Sequence, residues 1–404
     1  MDEFFDVVIV GTGAAGLYCA LNLPERMTVL LLTKKKADES DSFLAQGGIC
    51  MLRGEEDFSS YMEDTLRAGH YENDRKAVDL MIRSSNSVIR DLAGRGVRFA
   101  RRPDGSFDFT REGAHSRPRI LYHEDVTGRE ITQTLLDAAL LRENLILRED
   151  MVMLDFISDD TACGGVVAAG PGGEPYTVGA GAVVLACGGI GGLYKNSTNF
   201  PHITGDALAM ALRKGVAVEH LDYVQIHPTT LYSQKPGRRF LISESARGEG
   251  ALLYDKNGNR FTDELQPRDL LSQAIREQME KDGTEHVWED LRPLGESTLR
   301  KHFPNICRHC QEEGYQVLKE PIPVVPAQHY FMGGIKVDLS SRTAMPRLYA
   351  CGEISCSGVH GRNRLASNSL LESLVFAQRA ADDILFGEAP EFRGSTPDLG
   401  PYRE

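Results

Sequence analysis

The chain has 404 residues, 41% of them hydrophobic and 25% charged, which suits two sizeable cores and excludes disordered and fibrous classes. A formal net charge of −13 argues against a nucleic-acid partner, because phosphate affinity rests on clustered Lys and Arg, so any anionic substrate must meet positive charge locally. The eight cysteines are scattered, no apolar run approaches the ~18 residues of a bilayer span, and the N-terminus shows no basic leader, so the expectation is a cytoplasmic protein without a membrane partner.

In chain order, "VVIVGTGAAGLYCALN" (7–22) reads as strand, tight turn and helix. Gly11, Gly13 and Gly16, with Ala14 and Ala15 between them, leave room for a pyrophosphate at a helix N-terminus. The next strand, "MTVLLLTKK", should end in an acid for ribose hydroxyls. Thr33 and Lys34 stand there instead, which favours FAD over NAD. The stretch "TREGAHSRPRILYHEDVTG" (110–128) crowds both signs of charge beside loop-forming residues, too polar for core and too mixed for a nucleic-acid tract.

Apolar strands "AVVLACGG" (182–189) and "RLYACGEI" (347–354) are expected to return to the first, parallel sheet. Between them, residues 221–330 differ in texture, with "YDKNGNRF" as a hairpin and "PRDLLSQAIREQMEKDG" as a helix. The expected fold is α/β: a Rossmann-like dinucleotide domain (1–220 and 331–404) interrupted by an α+β insertion (221–330). The final helix, "SNSLLESLVFAQRAADDILFG", carries a capping-box pattern in Ser369 and Glu372, and its N-terminus could stabilise negative charge on a reduced flavin. Cys307 and Cys310 form a lone CxxC, one pair short of a tetrahedral zinc set, so no metal is expected.

The pieces "GTGAAG", "SFLAQGGI", "TREGAHSRPRILYHEDVTGRE", "QIHPTTL", "SESARGEGALL", "PRDLLSQAI", "VPAQHYFMGGI" and "LYACGEISCSGVHGRNRLASNSLLESL" recur in this order across nearly the whole chain. Together they resemble the L-aspartate oxidase branch of the succinate dehydrogenase and fumarate reductase flavoprotein family. That resemblance implies an FAD-binding domain interrupted by a capping domain, with the active site between them.

It also implies roles for particular residues. Besides the glycine loop, Thr33 and Lys34, the FAD contacts would be Ser42, Ala45, Gln46, Gly47, Gly48, Asp125, Gly188, Asp206, Glu353, Asn363, Ser367, Ser369 and Leu370. His227, His329 and Arg364 would grip the substrate carboxylates, Arg268 would transfer a proton, and Ser243 and Glu244 would line the same site. Glu112 would face the substrate ammonium, and an amino dicarboxylate is what such mixed charge suits. Asp41 stands where membrane-bound relatives carry a flavin-linking histidine, so FAD is expected to be non-covalent. The helical third domain common in the oxidases is expected to be absent, since the chain stops at Glu404 shortly after the last FAD helix. The implied activity is FAD-dependent oxidation of L-aspartate to iminoaspartate in NAD biosynthesis, with oxygen or fumarate as acceptor and quinolinate synthase as a possible partner. The alternatives are a soluble fumarate reductase and a non-catalytic FAD-holding protein.

Overall fold

The first apolar run becomes the strand Glu3–Val10, flanked on both sides by parallel neighbours. The structure, a computed structural model, describes residues 1–403. In spatial order the main sheet runs Leu145–Arg148, Val29–Leu32, Glu3–Val10, Pro175–Leu185, Cys163–Ala169 and Val152–Ser158. Val7–Val10 and Val29–Leu32 are buried throughout, as expected of strands covered on both faces. Pro175–Leu185 changes partner along its length. Its first half pairs antiparallel with Cys163–Ala169, and its end pairs parallel with Leu348–Ala350. Both later apolar strands therefore do join the first sheet.

The helix Ala14–Asn22 packs on this sheet beside the final helix Asn368–Phe386, in one core that includes Leu17, Tyr18, Leu371 and Leu374. Gly11 holds φ +115, and a Cβ there would run into the Ala186 carbonyl. A Cβ on Gly16 would strike the Gly11 carbonyl. These contacts explain why the turn between strand and helix uses glycine at both positions.

A second sheet is antiparallel, in the order Val224–Leu231, Ile322–Phe331, Val287–Asp290 and Leu252–Tyr254. With the helix Arg268–Asp282 it encloses a separate core around Ile242, Leu253, Ile275 and Val324. "YDKNGNRF" does turn back on itself: Tyr254 bridges Arg260, and Gly258 takes φ +82. A small third sheet, Val218–Glu219, Gly334–Lys336 and Ser355–Cys356, lies where the chain leaves for the second sheet and returns from it.

The capping box at the final helix is not formed. Ser367, at φ 62, is the N-cap and makes no side-chain cap bond. Ser369 Oγ instead accepts from Arg364 Nη1 at 2.6 Å, and Glu372 Oε1 accepts from Ser357 Oγ at 2.8 Å. This helix start is buried, and partners from the preceding loop, Arg364 and Ser357, displace the local exchange.

Candidate functional site

The carboxyl ends of the main-sheet strands and one edge of the second sheet enclose a single cleft of about 1720 Å³, counted out to open solvent. Its lining runs from the glycine turn to residues of the second sheet, an extent that suits a dinucleotide with a substrate beside it. At one end lie Gly11, Gly13, Ala15, Thr33, Lys34, Ser42, Ala45, Gln46, Gly47, Gly48, Gly188 and Asp206. Lys34 Nζ spans to Asp206 Oδ2 at 2.7 Å, tying the end of the second strand to the helix that begins at Asp206. Glu353, Ser367, Ser369 and Leu370 line the same cleft. Ser40 Oγ, Asp41 Oδ2 and Gln46 Oε1 are buried on its wall with no partner among the described residues. A glycine-lined cavity with unpaired polar atoms fits a large polar cofactor such as FAD.

Ala14, Gly16, Asp125 and Asn363 do not line this cleft. Ala14 N–H donates to Ser42 Oγ at 3.1 Å, so it holds the wall from behind. Asp125 accepts from the backbone N–H groups of Asn305 (3.0 Å) and Ile306 (2.7 Å), at the start of the helix Pro304–Glu312. Asn363 joins Gln225, the Ala68 carbonyl and Asp269 at 2.8, 3.1 and 3.2 Å. For Asp125 and Asn363 the expected wall contact is corrected to a tie between chain segments, because their polar atoms are already spent on those partners.

Beyond these residues the cleft brings together Glu112, His227, Glu244, Arg268, His329 and Arg364, with Glu112 lying against Gly47. His227 and His329 reach it from paired strands, with ring centroids 5.1 Å apart. Burial, and then the Arg268 charge, hold both imidazoles well below their usual pKa, so both are neutral near pH 7. His227 Nδ1 lies 3.2 Å from the Thr229 N–H and 3.0 Å from its carbonyl, and Nε2 is buried without a partner. His329 Nδ1 meets Thr198 Oγ1 at 2.7 Å.

Arg268, the first residue of its helix, gives Nε to Glu244 Oε2 at 2.6 Å and Nη1 to Gln225 Oε1 at 2.8 Å. Arg364 lies over the Tyr330 ring at 4.4 Å, and its Nε is buried and unpartnered. Burial, together with Arg268, lowers the Arg364 pKa to about 10. Glu112 is 3% exposed. Its oxygens accept from Ser245 Oγ at 2.8 Å and Ser367 Oγ at 2.6 Å. Burial and the nearby Glu244 push its carboxyl above the usual range, and the two hydroxyls and Arg268 oppose them. The cleft thus holds cations and a buried carboxylate together.

Sequence reasoning missed Ser245, Thr198, Gln225 and Arg238. Arg238 lines the cleft from the loop "SQKPGRRF", which reads as solvent-facing. Its charge lies near Asp41, whose carboxyl burial pushes up to about 7. Nothing local marks these residues, since each acts through a partner distant in sequence. Part of the charge in 110–128 belongs elsewhere. Arg119 is fully buried and grips Asp57 Oδ1 at 2.9 Å and Asp64 Oδ2 at 2.7 Å.

Residues 6–370 match the family model described as an FAD binding domain. The chain is 49% identical to an L-aspartate oxidase of Clostridium perfringens over 385 residues, covering 95% of this chain and 87% of that protein. It is 47% identical to an L-aspartate oxidase of Clostridium acetobutylicum, covering 94% and 87%. Among solved structures, an E. coli quinol fumarate reductase superposes with a TM-score of 0.88 at 34% identity, over 94% of this chain and 70% of that one. With a glycine-turn cleft fit for FAD and relatives this similar over nearly its whole length, the chain belongs to the L-aspartate oxidase family of FAD-dependent oxidoreductases, within the succinate dehydrogenase and fumarate reductase flavoproteins.

Proposed function

We propose that the chain oxidises L-aspartate to iminoaspartate, with Glu112, His227, Arg268, His329 and Arg364 as the substrate residues. The observation that carries this reading is Glu112, a buried carboxylate of the cleft that, among the described residues, accepts only from two serine hydroxyls and pairs with no cation, whereas its neighbour Glu244 is already bound by Arg268. A simple dicarboxylate would leave that charge unanswered, whereas an amino dicarboxylate brings an ammonium to it. Residues 221–330 act as the cap, carrying His227, Arg268 and His329 over the FAD-binding part.

Bound FAD supplies the two-electron acceptor, held by the glycine turn, the 42–48 segment, Glu353 and the start of the final helix. Asp41 offers no imidazole for a covalent link, so FAD is held non-covalently. The protein's own task is to clamp and to move protons. Arg364 offers its unpaired Nε to one carboxylate. His227 offers Nε2 to a carboxylate when Nδ1 accepts from the Thr229 N–H, since Nε2 then carries the ring proton. His329 is oriented by Thr198 for the same work. Glu112 orients the ammonium and thereby the Cα–H bond. Arg268 stands at the proton-transfer position, and its short bond to Glu244 gives it a carboxylate with which to exchange a proton. Burial would raise Glu244, but Arg268 and Arg247 outweigh it and keep Glu244 ionised.

Electrons would pass on to oxygen, giving peroxide, or to fumarate, giving succinate. The product would feed quinolinate synthase in the cytoplasm, at the start of NAD biosynthesis. Anaerobic mixing tests the reading: L-aspartate should bleach the flavin and succinate should not. Bleaching by succinate alone would favour a fumarate reductase, and an inert flavin would favour a non-catalytic protein.

A further inference from the structure

The small sheet at the crossover carries a group of side chains that the aspartate site does not use. Register sets Glu219 opposite Gly334 and Cys356 opposite Lys336. Residues two apart on a strand share a face, so Glu219, Lys336 and Cys356 project from the same side of this sheet. His220 follows Glu219 with φ 54, a left-handed backbone uncommon for a residue with a side chain. Its ring stacks on Tyr223 at 4.3 Å and 13°. As a result Cys356 Sγ, a ring nitrogen of His220 and a carboxylate oxygen of Glu219 all lie within 4.8 Å of one another. Cys356 is buried, Glu219 half-buried and His220 exposed, so the cluster opens to solvent on its imidazole side.

We propose that Glu219, His220 and Cys356 form a binding site for one divalent transition-metal ion of the zinc class. A thiolate and an imidazole select a borderline-soft ion over magnesium or calcium, which prefer sets of oxygen ligands. Three protein ligands and a water complete a tetrahedron. With ligand bonds of about 2.0–2.3 Å, its donor atoms stand roughly 3.3–3.8 Å apart. The present donors must draw together by roughly 1–1.5 Å, with the side chains of His220 and Glu219, the less buried ligands, turning toward the buried Cys356. Binding exchanges the Cys356 S–H proton for a metal–sulfur bond and releases that proton to solvent. Lys336 Nζ already holds Glu219 Oε1 at 2.6 Å, so it competes for this carboxylate but takes only one of its oxygens. The bound ion would tie Glu219 and His220, just before the second sheet, to Cys356, beyond the return.

Cobalt(II) titrated into the FAD-loaded protein tests the site. One ion should bind with a thiolate-to-cobalt charge-transfer band and tetrahedral ligand-field bands to the red of the flavin, and Zn2+ should displace it. Cys356→Ser should abolish the charge-transfer band. His220→Ala, at an exposed position, should weaken binding at least tenfold. Lys336→Ala should tighten it, and Cys307→Ser should leave it unchanged. Excess Zn2+ should raise the melting temperature of the native chain and not of His220→Ala. Cobalt bound without the thiolate band, or equally well by the Cys356→Ser and His220→Ala variants, overturns the assignment.

Discussion

Glu112 accepts hydrogen bonds from two serine hydroxyls while facing the cleft, so it is held in place and available at once. In Glu112→Gln the amide nitrogen can only donate, so one serine must change from donor to acceptor and the charge is lost. Removing one member of a buried charged pair costs about 2–5 kcal/mol, a roughly 30- to several-thousand-fold loss in kcat/KM for L-aspartate. At 3% exposure little screening softens it. Fumarate reduction with an artificial donor should fall far less, and equal losses would show that Glu112 only holds the loop. Because its carboxyl is raised, Glu112 gains a proton earlier than an ordinary carboxylate as pH falls, so the acid limb for aspartate should lie above that for fumarate. Arg268→Leu should lower kcat with little effect on binding of a dicarboxylate inhibitor, and Arg364→Leu should weaken that binding strongly. Indistinguishable behaviour of these two variants would end the division of roles. At this scale the sequence was legible where chemistry sits inside a local pattern, as in "QIHPT" or "GRNRLASNS". It was silent on the pairings of Ser245 with Glu112 and of Gln225 with Arg268, whose partners are distant in sequence.

The 110–128 segment shows how one element serves two purposes. Asp57 and Asp64 are two turns apart on the helix Glu55–Ala68 and present one face to Arg119. Arg119 also meets His115 Nδ1 at 3.0 Å, and Ser116 caps Asp64 through its N–H and Oγ, each at 2.7 Å. Breaking such a network from its cationic side costs about 3–5 kcal/mol, so Arg119→Met should lower the urea-unfolding free energy by that order. Burial alone would raise both aspartates, but the Arg119 and serine hydrogen bonds outweigh it and their net shift is downward. Their contribution is therefore complete above the unfolded carboxylate pKa and disappears as pH falls through the lower folded values. The difference between native chain and variant should be largest near neutrality and shrink below about pH 4. A pH-independent difference would assign the loss to packing alone. Periodicity marked the strands and long helices well. It misread the start of the final helix, where buried arginine and serine partners outcompete the local Ser369–Glu372 pair.

For the whole molecule the decisive property is that one cleft joins the main sheet, with a core on each face, to the second sheet and its own core. The two apolar strands returning to the first sheet were legible because doubly covered strands are continuous apolar runs. The partner exchange along Pro175–Leu185 was not, since pairing direction leaves no trace in such runs. A Cβ on Gly13 would lie 3.1 Å from Ser42 Oγ, on the cleft wall, so Gly13→Val should give folded protein with most of its flavin lost. Normal flavin loading in that variant would reduce the glycine loop to a simple turn. Acid precipitation should release all yellow colour into the supernatant, and colour retained on the pellet would indicate a covalent link that Asp41 cannot make.

The nested path of the chain also sets an order of events during synthesis. Six strands of the main sheet are complete by Leu185, before any of the second sheet emerges from the ribosome. The strand Leu348–Ala350 and the helix Asn368–Phe386, which packs against the glycine-turn helix, arrive only after the whole detour has been made. Closing a detour from Glu219 to Gly334, 115 residues apart, costs about 4 kcal/mol of chain entropy. A nascent chain halted near residue 340 should therefore resist protease across its first sheet yet remain unable to retain flavin. Retention would come only once the strand Leu348–Ala350 and the helix Asn368–Phe386 have joined the first sheet, so cofactor capture follows the closing of the detour.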